Sequence, residues 1–299
     1  MTQKISILGV PMDLGQTRRG VDMGPSAIRY ADVVEKLAEL GHKIEDLGNL
    51  EVAPKTALES TQNEKLKNFD EVLHISKELA EKVDKIVNDN KFPLIFGGDH
   101  SIAIGTIAGI SKHYKNLGVI WYDAHADMNT LDTTPSGNIH GMPLAINLGH
   151  GNSELVNILN YFPKIKPENV VIIGARSIDK GEKELIKQLG INVFTMHEID
   201  RLGMSNVIDR TIDILFDCDG VHLSWDMDSL DPLYAPGVGT PIDGGITYRE
   251  AHLTMELLYQ SGIITSAEFV EINTILDKRN KTGRAAVELI LSLFGEKVL

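Results

Sequence analysis

Asp123, His125 and Asp127 alternate with Ala124 and Ala126, and far along the chain Asp226 and Asp228 repeat the same two-residue step. Each group follows an apolar run that reads as a strand. Gly118-Val119-Ile120 leads into Trp121-Tyr122-Asp123-Ala124-His125-Ala126-Asp127, and Gly220-Val221-His222-Leu223 leads towards Trp225-Asp226-Met227-Asp228. A third run, Phe92-Pro93-Leu94-Ile95-Phe96, ends in Gly97-Gly98-Asp99-His100. One Asp after a strand is commonplace, because it caps a following helix or closes a turn. Three strand ends that all carry carboxylate or imidazole are another matter, since so many anions brought together repel one another unless cations neutralise them. The four aspartates Asp123, Asp127, Asp226 and Asp228, with His100 and His125, supply enough donors for two divalent ions. Oxygen-rich ligation with a minority of imidazole favours Mn2+ over Mg, Co or Fe, and the lack of a cysteine cluster argues against structural zinc.

Something must bring those strand ends together. Strand-like runs recur at 4–10, 43–46, 93–96, 118–122, 170–173, 192–195, 220–224 and 265–270. Helical patterns at 25–40, 66–87, 102–114, 181–189, 204–216, 248–260 and 282–293 fall between most of them. Strands that are apolar throughout suit a parallel sheet covered on both faces. The expected fold is therefore α/β: a single domain, residues 1–299, with a mainly parallel central sheet flanked by helices. Ligands bind such a sheet in the crevice beyond the carboxyl ends of its strands, which is where the three donor groups fall. Alternate residues of an extended chain point to one side, so 123, 125 and 127, and likewise 226 and 228, are expected to present their donors together.

The chain of 299 residues is 42% hydrophobic and 24% charged, enough apolar material for the core of a full parallel sheet. Its net charge of -13 makes nucleic acid or an anionic membrane surface a poor partner and a cationic substrate a better one. The single cysteine, Cys218, cannot form an intrachain disulfide, and Met1-Thr2-Gln3-Lys4 runs straight into a strand instead of the apolar core of a signal, so a cytoplasmic location is expected. No apolar run approaches the roughly 18 residues needed to span a bilayer. Gly97-Gly98 and Gly244-Gly245 read as tight turns, since no GxGxxG follows the first strand.

Three segments, Gly97-Gly98-Asp99-His100-Ser101, Asp123-Ala124-His125-Ala126-Asp127 and Ser224-Trp225-Asp226-Met227-Asp228-Ser229-Leu230-Asp231-Pro232, resemble the signatures of the ureohydrolase family, most closely its arginases. The likeness runs over essentially the whole chain, from Gly9-Val10-Pro11 to Glu268-Phe269-Val270-Glu271-Ile272-Asn273. It implies an arginase-like fold, two Mn2+ per chain, a homo-oligomer (trimer or hexamer), and hydrolysis of L-arginine to L-ornithine and urea by a metal-bridging hydroxide that attacks the guanidinium carbon. On this resemblance one ion takes His100, Asp123, Asp127 and Asp226, and the other takes Asp123, His125, Asp226 and Asp228, so that Asp123 and Asp226 bridge.

A guanidinium carbon is a poor electrophile because its charge is delocalised over the nitrogens, so hydrolysis needs a positioned nucleophile and a proton for the departing amine. The resemblance makes Asp127 the proton shuttle and His140, in the loop Ser136-Gly137-Asn138-Ile139-His140-Gly141-Met142-Pro143, a general acid/base. It pairs Glu271 with the guanidinium. It assigns Asn129, Ser136 and Asn138 to the substrate carboxylate and Asp179 to its ammonium, with Thr240 and the ligand His125 as further substrate contacts. Read by themselves, these are loop, turn and strand-end residues, and His222, in a strand, is a core histidine or one that backs the metal ligands. Ala126 and Trp225 stand where ureohydrolases vary.

Three rival readings differ in what they require. An agmatinase or guanidinobutyrase would share every metal ligand, but agmatine lacks the carboxylate that Ser136-Gly137-Asn138 would read. The related deacetylases need one zinc and fewer carboxylates than the six-ligand set offers. A catalytically dead arginine sensor would be expected to have lost ligands or His140, and neither is lost here.

Overall fold

The computed structural model describes residues 2–53 and 65–297. All the predicted strands form: β1 (Lys4–Val10), β2 (Lys43–Asn49), β3 (Phe92–Gly97), β4 (Leu117–Tyr122), β5 (Val170–Ala175), β6 (Asn192–Thr195), β7 (Gly220–Asp226) and β8 (Ile264–Val270). They make one 8-stranded sheet in the order β2-β1-β3-β8-β7-β4-β5-β6, with every neighbouring pair parallel. Between and after them run α1 (Gly24–Arg29), α2 (Val33–Glu39), α3 (Phe69–Asn88), α4 (Ala103–Ser111), α5 (Pro143–Asn147), α6 (Ser153–Val156), α7 (Lys180–Leu189), α8 (Met196–Leu202), α9 (Met204–Ile214), α10 (Tyr248–Ser261) and α11 (Lys281–Leu293).

Successive strand side chains point to opposite faces, and each face has its own apolar core. Val119 and Trp121 of β4 pack with α3 to α7, whereas Ile120 and Tyr122 pack with α1, α2 and α8 to α11. The inner strands β4, β5 and β7 are buried along their whole length. Edge strand β2 is mostly exposed and carries Lys43, Glu45 and Asp46, charges that discourage pairing with another chain. The expected single domain with a parallel sheet between helical layers is what forms.

Two helical expectations change. The 25–40 pattern divides into α1 and α2 at Asp32, whose left-handed backbone (φ 63) stops one helix before the next begins. Helices α5, α6 and α8 were not predicted, although Thr195 and Glu198 form a capping box at the start of α8, a signal the sequence does carry. Among the described residues no helix is long and apolar enough to cross a membrane.

The sheet order matters for function. Strands β3, β8, β7 and β4 are consecutive neighbours. Their carboxyl ends lead to His100, Glu271, the Asp226–Asp228 pair and the Asp123–Asp127 run respectively.

Candidate metal centre

Strand β3 ends in a turn that only glycine fits. A Cβ on Gly98 would lie 1.8 Å from the Met12 carbonyl oxygen, and the backbone NH groups of Gly98 and Asp99 donate to Val10 O and Met12 O. Asp99 is spent on structure: its Oδ2 accepts from Gly15 N at 2.7 Å and its Oδ1 from Ser101 N at 3.0 Å. The next residue, His100, then faces the ends of β4 and β7.

The ring of His100 stacks on Trp121 at 4.1 Å between centroids. Its Nε2 lies 2.8 Å from Ser224 Oγ, and that hydroxyl donates to Glu268 Oε1 at 2.7 Å. A serine that gives its only proton to a carboxylate must accept from its other neighbour, so Nε2 of His100 carries a hydrogen, and in the neutral ring Nδ1 holds the lone pair. That buried Nδ1 has no hydrogen-bond donor, and it sits 3.2, 3.1 and 3.2 Å from carboxylate oxygens of Asp123, Asp127 and Asp226. A lone pair surrounded by three carboxylates is an arrangement for a cation, with Ser224 and Glu268 fixing the tautomer as outer partners of metal-bound histidines do. His222, fully buried, closes the chain behind them: its Nε2 lies 3.3 Å from Glu268 Oε1 and its Nδ1 3.0 Å from Ser266 Oγ. Glu268 and Ser224 had no predicted role, because nothing in their spacing distinguishes them from other strand residues.

His125 builds a second group, with Nδ1 3.1 Å from Asp228 Oδ2 and 3.4 Å from Asp123 Oδ1. Two donor sets result, His100 with Asp123 and Asp226, and Asp123 with His125 and Asp228, with donor atoms in each within 4.8 Å of one another. Asp123 is common to both. Asp226 belongs to the first set, and Asp127 approaches that set through His100. Further bonds aim the carboxylates: Trp121 Nε1 donates to Asp123 Oδ2 at 3.0 Å, Asp228 N to Asp226 Oδ1 at 2.7 Å, and Thr240 Oγ1 to Asp228 Oδ2 at 2.9 Å.

The donors do not converge by extended alternation, as the sequence spacing suggested. The chain bends at 123–125, Asp127 adopts a left-handed backbone (φ 52), and Met227–Ser229 forms a 3-10 turn. Carboxylates bind backbone NH groups two residues on, as His125 N does to Asp123 Oδ1 at 2.7 Å, so the acidic residues themselves make the turns that gather them.

Electrostatics point the same way. Burial, then the neighbouring Asp228 and Asp123, push the pKa of Asp226 well above the carboxylate range, and burial with Asp123 raises Asp127 to about 6. Burial opposes ionisation of Asp123 too, but His100 and His125 hold its pKa low. Burial would lower both histidines, yet the surrounding carboxylates raise them well above the usual range. Cations relieve this crowding without shared protons, and the donor set of carboxylate oxygens and imidazole nitrogens fits a pair of divalent ions.

Above these donors lies a cavity of about 140 Å³. Its wall includes the predicted His125, Asp127, Asn129, Ser136, Asn138, His140, Asp179, Asp226 and Thr240, and also Thr134, Pro135, Gly141, Ser177 and Glu182, which were not predicted. Glu182 is buried, and burial raises its pKa to about 7 even though it accepts from Asp179 N at 2.7 Å and Met128 N at 2.9 Å. Its signal was the capping box Asp179-x-x-Glu182 that opens α7. Asn129 Nδ2 donates to Asp179 Oδ2 at 2.9 Å, so the residues expected to read opposite charges of one substrate are in contact.

Glu271, expected to meet a guanidinium, gives its carboxylate to protein donors. Its Oε1 lies 3.0 Å from both His140 Nδ1 and His100 N, and its Oε2 accepts from Gln16 Nε2 at 3.1 Å. It stands behind His140 with a left-handed backbone (φ 65), held by a bond from its own NH to Gly98 O. Asp127 and Glu271 are thus both in a conformation that costs non-glycine residues energy, a strain that clusters at functional sites. Gln16 was missed because it lies in a loop far from every motif.

The model of the arginase family matches residues 3–295. Arginase of Bacillus subtilis is 64% identical over 299 residues, covering 100% of both chains, and arginase of Bacillus caldovelox is 60% identical over 296 residues, covering 99% of each. The solved native structure of the Bacillus caldovelox enzyme superimposes with a TM-score of 0.98 over 100% of both chains, at 60% identity. With its sheet order, its paired donor sets and these full-length matches, the chain belongs to the arginase family of hydrolases.

Proposed function

We propose that this protein is an arginase that hydrolyses L-arginine to L-ornithine and urea with two Mn2+ per chain. The observation that carries the reading is the pair of donor sets sharing Asp123 beneath a cavity lined by amides, hydroxyls and carboxylates. His100, Asp123, Asp127 and Asp226 would hold one ion, and Asp123, His125, Asp226 and Asp228 the other. The family resemblance extends the reading to a cytoplasmic homo-oligomer, trimer or hexamer, which light scattering tests.

Divalent cations, when bound, make water a competent nucleophile near neutral pH. The protein's own groups do the rest. Asp127, on the cavity wall, takes the nucleophile's proton. His140 protonates the amine nitrogen as the C–N bond to the guanidinium carbon breaks. Its Nδ1 is committed to Glu271, which leaves Nε2 as the atom that gives or takes the proton. Asn129, Ser136 and Asn138 donate to the substrate carboxylate, while Asp179 and Glu182 accept from its ammonium. Thr240 holds Asp228 from the cavity side.

An agmatinase reading keeps the same ligands and loses the purpose of the amide-bearing wall. Urea release from a panel of guanidino compounds after Mn2+ loading, with metal content measured on the same sample, tests both. Arginine is expected to dominate with two ions per chain. Equal efficiency on agmatine, or full activity with at most one ion, overturns the reading.

A further inference from the structure

Lys67 lies outside every motif, yet it reaches the wall of the cavity from behind. Its Nζ donates to Asn138 Oδ1 and to Thr17 Oγ1, each at 2.9 Å, and Thr17 Oγ1 in turn donates to the same Asn138 oxygen at 3.0 Å. The segment is strapped in place by its backbone, with Lys67 N bonded to Gly137 O at 3.0 Å, and by Asn68 Nδ2, which donates to Leu14 O at 2.6 Å.

An ammonium group has three donors and no acceptor, so only the oxygen of an amide can face it. Two donors on Asn138 Oδ1 therefore settle which way round that amide stands. We propose that Lys67, with Thr17, is a specificity-determining residue: it pins the Asn138 oxygen on the outer side, so that the Asn138 NH2 group is presented to the cavity as a donor for a substrate carboxylate. Without that clamp the amide is free to flip and offer its oxygen, an acceptor that repels a carboxylate. The lysine also places a positive charge next to this corner of an otherwise acidic site, which favours an anionic group there.

The inference deepens the substrate reading proposed above and rests on it. The test compares Lys67→Ala, Lys67→Arg and Thr17→Val with the wild type, all as full-length Mn2+-loaded enzyme, in kcat and KM for L-arginine and for agmatine. In Lys67→Ala the arginine-to-agmatine ratio of kcat/KM is expected to fall roughly 10 to 100-fold, the range of a hydrogen bond to a charged group. The loss should reside in KM for arginine. Lys67→Arg, which keeps a donor-only cation, should restore most of the ratio, and Thr17→Val should lower it less than Lys67→Ala. If the wild type prefers arginine and Lys67→Ala keeps that preference, or loses both substrates equally, the inference is overturned while the arginase reading stands. If the wild type itself shows no preference for arginine, the substrate reading falls first and the inference with it.

Discussion

His140 Nδ1 lies 3.0 Å from Glu271 Oε1, and the two arrive there from elements 131 residues apart. A carboxylate only accepts, so the contact assigns a hydrogen to Nδ1 in both protonation states and leaves Nε2 to titrate. Burial would lower the pKa of His140, but Glu271 outweighs it and raises it to about 9. Glu271 thus favours the imidazolium, the form that can donate.

Replacing Glu271 with Gln keeps the size of the side chain and removes the charge that holds this proton. The pKa of His140 should drop from about 9 towards the ordinary value. If the reaction uses the imidazolium as its acid, activity is lost as pH rises through that pKa, so the alkaline limb of the kcat profile should move to lower pH in Glu271→Gln. A pH-rate profile with its alkaline limb unmoved would show that Glu271 does not act through His140.

His140→Ala should keep the metal content of the wild type, since His140 pairs with Glu271 and with no carboxylate of either donor set. It should lower kcat by about 10² to 10⁴-fold, the usual weight of a general acid/base. Added imidazole should restore part of the rate. Loss of metal from this variant, read by elemental analysis, would contradict a pure proton-transfer role.

Asp123 serves both donor sets, and its charge offsets His100 and His125. Asp123→Asn is expected to reduce bound metal below one ion per chain and to abolish measurable urea release. Chelation of the wild type should lower its Tm in the same way, because ions that bind only the folded state stabilise it by about 2.7 kcal/mol at a hundred times Kd. Calorimetry with and without Mn2+ reads this directly, and a Tm indifferent to the ion speaks against a metal centre here.

Ser224→Ala leaves every proposed ligand in place and removes the acceptor that fixes the His100 tautomer. Metal affinity should weaken about 10 to 100-fold, as when other outer partners of metal-bound histidines are removed. Titration with Mn2+ measures the change. Affinity equal to the wild type would mean that stacking on Trp121 orients His100 without help.

The local parts of this protein are written in its residues. Apolar runs of strand length, broken by helical periodicity, specified every strand and most helices, because burial on both faces leaves a pattern that neighbouring residues carry. The candidate metal donors could be picked out too, since acids and imidazoles gathered at strand ends repel one another unless cations neutralise them, and the structure groups His100 with Asp123 and Asp226, and Asp123 with His125 and Asp228. Which strand ends meet was decided by packing alone. Strands β3, β8, β7 and β4 lie side by side although the chain visits them in another order, and that adjacency sets His100 against Asp123, Asp127 and Asp226. Glu271 taking up position behind His140, Glu182 entering the cavity wall, and Lys67 clamping Asn138 are likewise products of long-range packing. Periodicity records how a residue faces its own element. The partner across a gap in sequence is fixed by how whole layers bury their faces together, and no local pattern contains that.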